Sequence, residues 1–124
     1  MLLIGFIEEI IFRGFLFKSL EKENFNRAII ISSITFGIGH IINLFTGAAL
    51  LETLLQICYC ISIGFLFVAI FYKGKSLWPC IITHGLVNAF SIYNIDNNLS
   101  LYITPIILTI IPLCYFMYIK KVIK

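Results

Sequence analysis

Five long apolar segments, separated only by short polar breaks, leave this chain few ways to fold. They run over residues 2–20, 28–45, 49–72, 77–95 and 101–119. Each is near the about 20 residues a helix needs to cross roughly 30 Å of hydrocarbon. Within lipid every backbone N–H and C=O must be paired inside the protein, so only helices or a closed barrel can span it. The strict alternation of barrel strands is absent. The expected fold is therefore all-α, a polytopic transmembrane helix bundle of about five spans. Composition agrees, at 60% hydrophobic and 12% charged residues, where an ordinary soluble domain carries about 25% charged. Mean hydropathy is +1.04.

The breaks have turn chemistry: Glu21-Lys22-Glu23-Asn24, Asn43 to Gly47, Lys73-Gly74-Lys75-Ser76 and Asp96-Asn97-Asn98. Pro79 stands near the start of the fourth segment, where its missing N–H is least costly. Pro105 and Pro112 lie inside the fifth, which predicts a kink there. No repeat or linker divides the chain, so residues 1–124 are read as one domain. No basic region or cleavage site precedes the first segment, so it is not a signal peptide. Its abrupt, ionisable start suggests a truncated or minimal version of a protein with further spans upstream.

Apart from Arg13, the cations fall in three places: Lys18, Lys22 and Arg27; Lys73 and Lys75; and Lys120, Lys121 and Lys124. With five spans all three lie on one side of the membrane. The second and fourth connections offer only Glu52 and Asp96. The positive-inside rule then places the C-terminus in the cytoplasm and Met1 on the far side. A net charge of +3 without a basic aromatic groove gives no basis for a nucleic-acid partner. Cys58, Cys60, Cys80 and Cys114 lack metal-finger spacing and are read as buried small hydrophobes, with Cys58 and Cys60 on different helix faces.

Charge inside a span is expensive, about 2.5–3.5 kcal/mol per residue at the bilayer centre, yet the first segment carries Glu8, Glu9 and Arg13. Glu9 and Arg13, four apart, can pair on one face. Glu8 lies about 100° round the helix and points elsewhere, which makes it a candidate general base. Phe36 and His40 share a face of the second segment, as do His84 and Asn88 on the fourth. Glu8 with His40 could activate water, while His84 and Asn88 could donate N–H groups to an oxyanion. Equally, Glu8, His40 and His84 are the two-histidine, one-carboxylate donor set of a catalytic zinc, assembled from three helices.

Glu8-Glu9-Ile-Ile-Phe-Arg13-Gly14, Phe36-Gly-Ile-Gly-His40 and His84-Gly-Leu-Val-Asn88 resemble, in order and each on its own span, the three motifs of the CPBP intramembrane protease family. That family takes in type II CAAX prenyl endopeptidases and bacteriocin-processing or immunity proteins, often labelled abortive-infection proteins. The resemblance implies a water-activating role for Glu8 with His40, an oxyanion role for His84 and Asn88, and a structural role for Glu9 and Arg13. It also implies a metallopeptidase, with zinc as the expected cofactor, and further spans before the first motif. The expected function is an intramembrane endopeptidase acting on a membrane-associated peptide or protein, with the lipid bilayer as its other partner. An Ile-, Lys- and Asn-rich composition points to a bacterial plasma membrane and to a bacteriocin precursor or leader peptide as substrate. The competing readings are a catalytically inactive immunity or scaffold protein and a proton pathway. No polar chain is seen to continue through the third or fifth segment to support the last.

Overall fold

The structure is a computed structural model, and it describes residues 2–91 and 97–123. Met1, Asp96, Lys124 and the end of the fourth segment, residues 92–95, lie outside the described residues. The first apolar segment is one helical rod with a change of pitch. Helix α1 (Leu2–Glu9) passes into a π-helical stretch (Ile10–Phe17) and closes with a short α-helix, α2 (Lys18–Glu21). Helix α3 (Phe25–Gly39) continues as a 3-10 helix (His40–Thr46), and α4 (Leu50–Gly74), α5 (Trp78–Ser91) and α6 (Asn98–Ile123) follow. The five apolar segments thus become five helical rods. Among the described residues three of them, Phe25–Thr46, Leu50–Gly74 and Asn98–Val122, are long and apolar enough to cross a membrane.

Local chemistry sets the boundaries. The Asn24 side chain accepts from the Arg27 backbone N–H at 3.0 Å, and the Asn97 side chain accepts from the Ser100 N–H at 2.6 Å, each satisfying a donor in a first helical turn. Gly47, with φ 96, ends the 3-10 helix, and Lys75, with φ 54, ends α4 in the left-handed region. Pro79 sits in the first turn of α5 as expected, and α6 remains helical through Pro105 and Pro112.

Helix α4 is the hub, packing against α3 and α6, while α1 lies along α5. Phe17, Ala28, Ile63, Phe67 and Phe71 form the buried centre. Most large apolar side chains of α6 remain on the outer surface, which suits a helix facing lipid. The cysteine expectation needs correction: Cys60 and Cys80 are buried, but Cys58 and Cys114 are exposed, because each projects from the outer face of its helix. One end of the bundle collects cations. Lys18 lies 5.6 Å from the Phe71 ring and Lys75 lies 4.5 Å from the Tyr72 ring, and Phe25 packs on Tyr72. The first and third connections therefore meet, as the charge pattern requires.

The crossing of α3 and α4 is tight at Gly37. A Cβ there would stand 2.8 Å from the Ile61 backbone nitrogen and 3.0 Å from the Ile57 carbonyl oxygen. Neither backbone atom can turn aside, so Gly37→Ala should force the helices apart and destabilise the bundle by about 1–3 kcal/mol. Gly39→Ala, whose Cβ would meet nothing nearer than the Phe12 ring at 3.9 Å, should be tolerated. Unfolding of the two variants in mixed micelles checks the contrast; equal stabilities would show that the crossing is loose.

Candidate active site

Glu9 and Arg13 are fully buried, and their side chains pair at 3.1 Å. The second guanidinium nitrogen donates to the Gly64 carbonyl of α4 at 3.3 Å. The guanidinium also lies over the Phe36 ring at 4.3 Å and the Phe67 ring at 5.2 Å. Arg13 thus ties the first rod to α3 and α4, and the pairing expected from the four-residue spacing is present.

His84 enters from α5. Its Nδ1 lies 2.8 Å from Glu9 Oε1, and its Nε2 lies 3.2 Å from Glu8 Oε2. The close approach of α1 and α5 makes this reachable: a Cβ on Gly5 would stand 3.3 Å from His84 Cγ. Two hydrogen bonds between imidazole and carboxylates need two protons, and a neutral ring carries one. With both ring nitrogens protonated the trio holds one extra proton, and counting Arg13 the four ionisable groups then balance to no net charge. Such a group is far less costly in lipid than its members alone.

His40 stands apart from this trio. Its Nδ1 is 3.1 Å from the Phe36 carbonyl oxygen, and its Nε2 is 3.7 Å from Cys60 Sγ. A carbonyl can only accept, so Nδ1 carries the proton and Nε2 is left with a lone pair. The Phe36 ring stands T-shaped to both imidazoles, with centroids 5.4 Å from each. His40, His84 and Asn88 share the lining of a cavity of ≈ 70 Å³ with Phe36, Gln56 and Cys60. That is room for about two water molecules.

Some sequence expectations change here. Glu8 makes no hydrogen bond to His40 among the described residues; it bonds instead to His84, beside Glu9. Glu8 and Glu9 therefore do not point to separate tasks in the way the helical wheel implied, because the two nitrogens of one ring reach both. Asn88 lies where expected, on the His84 face of α5 and in the cavity wall. The third segment is not devoid of polar function: Gln56 lines the cavity, and its side-chain oxygen accepts from Asn43 at 2.7 Å. A lone carboxamide within residues 49–72 was the signal for it. The zinc donor set is not gathered in this arrangement, since both His84 nitrogens face carboxylates and His40 faces Phe36 and Cys60. Among the described residues no group of three or more His, Cys, Asp or Glu could hold a metal ion.

A larger cleft of ≈ 710 Å³ adjoins the cavity between α4, α5 and α6, and the two share Gln56, Tyr59, Val87 and Ser91 as lining.

Comparison with known proteins bears on this arrangement. A family model described as "Type II CAAX prenyl endopeptidase Rce1-like" matches residues 1–90. A Bacillus subtilis (strain 168) protein named "Putative membrane peptidase YdiL" is 39% identical over 85 residues, covering 68% of this chain. The chain spans 30% of the length of that curated relative. No solved structure matches.

Proposed function

Because the chain belongs to the type II CAAX prenyl endopeptidase Rce1-like family, we propose that it is an endopeptidase hydrolysing a peptide bond of a membrane-associated peptide or protein. The observation that carries this reading is the meeting of Glu8, Glu9 and His84 beside a cavity that also holds His40 and Asn88. His40 Nε2, 3.7 Å from Cys60 Sγ in the cavity wall, gives its lone pair to a water molecule that takes the thiol's place, and Glu8 stands beside the cavity on His84. Together they take a proton from a water molecule as it adds to the carbonyl carbon of the scissile bond. The Asn88 carboxamide, in the cavity wall one turn from His84, can donate to the oxyanion, and His84 joins it when its Nε2–H exchanges Glu8 for the substrate oxygen. The extra proton of the His84 trio passes to the departing amide nitrogen, and the Glu8–His84 contact returns the proton taken from water. The products are a carboxylate and an amine.

On this proposal the lysine-rich end of the bundle faces the cytoplasm, and the membrane is the bacterial plasma membrane. Cleavage of a quenched-fluorescent membrane peptide in proteoliposomes tests the reading. Glu8→Gln should lower the rate about 10²–10⁴-fold, with His40→Ala in the same range. A Glu8→Gln protein as fast as the parent would overturn Glu8 as the base, and a parent that does not cleave would favour an immunity or scaffold role. Loss of activity to a chelator, restored by zinc, would instead assign Glu8, His40 and His84 to a metal.

A further inference from the structure

The catalytic reading uses the small cavity and leaves the larger cleft without an occupant. Its volume of ≈ 710 Å³ falls within the about 300–1,000 Å³ usual for small-ligand sites. Gln56 and Tyr59 belong to both spaces, so a chain lying in the cleft reaches the histidines without crossing a helix. One whole wall comes from α6, through Leu101, Thr104, Pro105 and Leu108. Among the described residues α6 packs against α4 and makes no contact with α5.

That wall is mixed in character. Leu101, Pro105 and Leu108 are apolar, while Thr104 carries a hydroxyl. Pro105 has no N–H to give to the Leu101 carbonyl four residues earlier, so this turn of α6 has a backbone acceptor without its usual helical donor. An extended peptide offers N–H donors for such an acceptor and apolar side chains for the rest of the wall. A lipid acyl chain offers no donor. The match to the family ends at residue 90, and α6 begins at Asn98. The shared sequence therefore supplies the ionisable groups, and the wall lies outside it.

Building on the peptidase reading, we propose that this cleft binds the apolar segment of the peptide next to the scissile bond. The peptide enters between α5 and α6, and Thr104 and Leu108 determine which side chain fits.

The probe is a dansyl-labelled Ala-Leu-Phe-Leu-Ala peptide, titrated into nanodiscs containing the Glu8→Gln protein. Adding Thr104→Trp, which fills the cleft, should weaken binding about tenfold or more, and Leu108→Ala should shift preference toward a peptide with Trp in place of Phe. With Glu8 intact, Thr104→Trp should raise KM and leave kcat within about twofold of the parent. Failure of the probe to bind, equal affinity in all three proteins, or displacement of the probe by phospholipid alone would overturn the proposal. Cleavage with a KM indifferent to α6 sinks this site and spares the peptidase reading. Binding that tracks α6 in a parent that never cleaves sinks the peptidase reading alone.

Discussion

His84→Ala is expected to reduce peptide cleavage by about 10³–10⁴-fold, the largest catalytic effect of any single replacement outside Glu8. The imidazole has two tasks in the proposed reaction, as proton donor to the leaving nitrogen and as donor to the oxyanion. Loss of a general acid costs about 10²–10⁴-fold, and loss of one oxyanion donor about 10²–10³-fold. The two do not multiply, because one ring performs both within one transition state. Removal also leaves Glu8 and Glu9 without the group that holds them together. His84→Gln provides the control: it keeps an N–H donor of similar reach but cannot carry the extra proton, so it should preserve the fold and recover only a small part of the rate. Single-turnover cleavage in proteoliposomes, paired with an unfolding curve for each variant, separates the two effects. A His84→Ala protein within tenfold of the parent would show that the imidazole is structural.

Arg13→Leu is expected to be the most damaging change to stability, at about 3–5 kcal/mol. The guanidinium is fully buried and contacts three helical rods: Glu9 on its own, Phe36 on α3, and Gly64 and Phe67 on α4. Its removal strands a buried carboxylate that then has only His84 as a partner. Arg13→Lys should not rescue the loss, because an ammonium cannot stack on Phe36 while reaching both oxygens. Arg13→Leu combined with Glu9→Gln should recover part of the stability, since replacing both partners avoids the unpaired charge. Denaturant titration in micelles measures all four proteins. A single variant within about 1 kcal/mol of the parent would rank the pair with ordinary surface ion pairs.

Helical periodicity made part of this site legible. The Glu9–Arg13 pair and the His84–Asn88 face follow from four-residue spacing, and the apolar run lengths foretold the five rods. The partner of Glu8 was not legible. A wheel places Glu8 and Glu9 on different bearings, yet an imidazole has nitrogens on opposite sides and can donate to both. The π-helical stretch after Glu9 was equally hidden, since nothing in Ile10–Phe17 distinguishes it in composition from the α-helix before it. The glycines that let helices meet, Gly5, Gly37 and Gly64 among them, reveal their purpose only when the opposing backbone or ring is in place. Gln56 was visible as a carboxamide in an apolar run, but its task depends on where α3 delivers Asn43.

The lysine cluster and the cleft lie at opposite ends of the same helices. Lys73 is in the last turn of α4 and Lys120 in the last turn of α6, whereas Glu52 in the first turn of α4 and Asn98 at the start of α6 border the cleft. The molecule therefore has a built-in sidedness. On the peptidase reading, once the lysines anchor one leaflet the proposed entrance belongs to the other, and the direction from which a peptide is delivered becomes a condition for its cleavage, independent of its sequence.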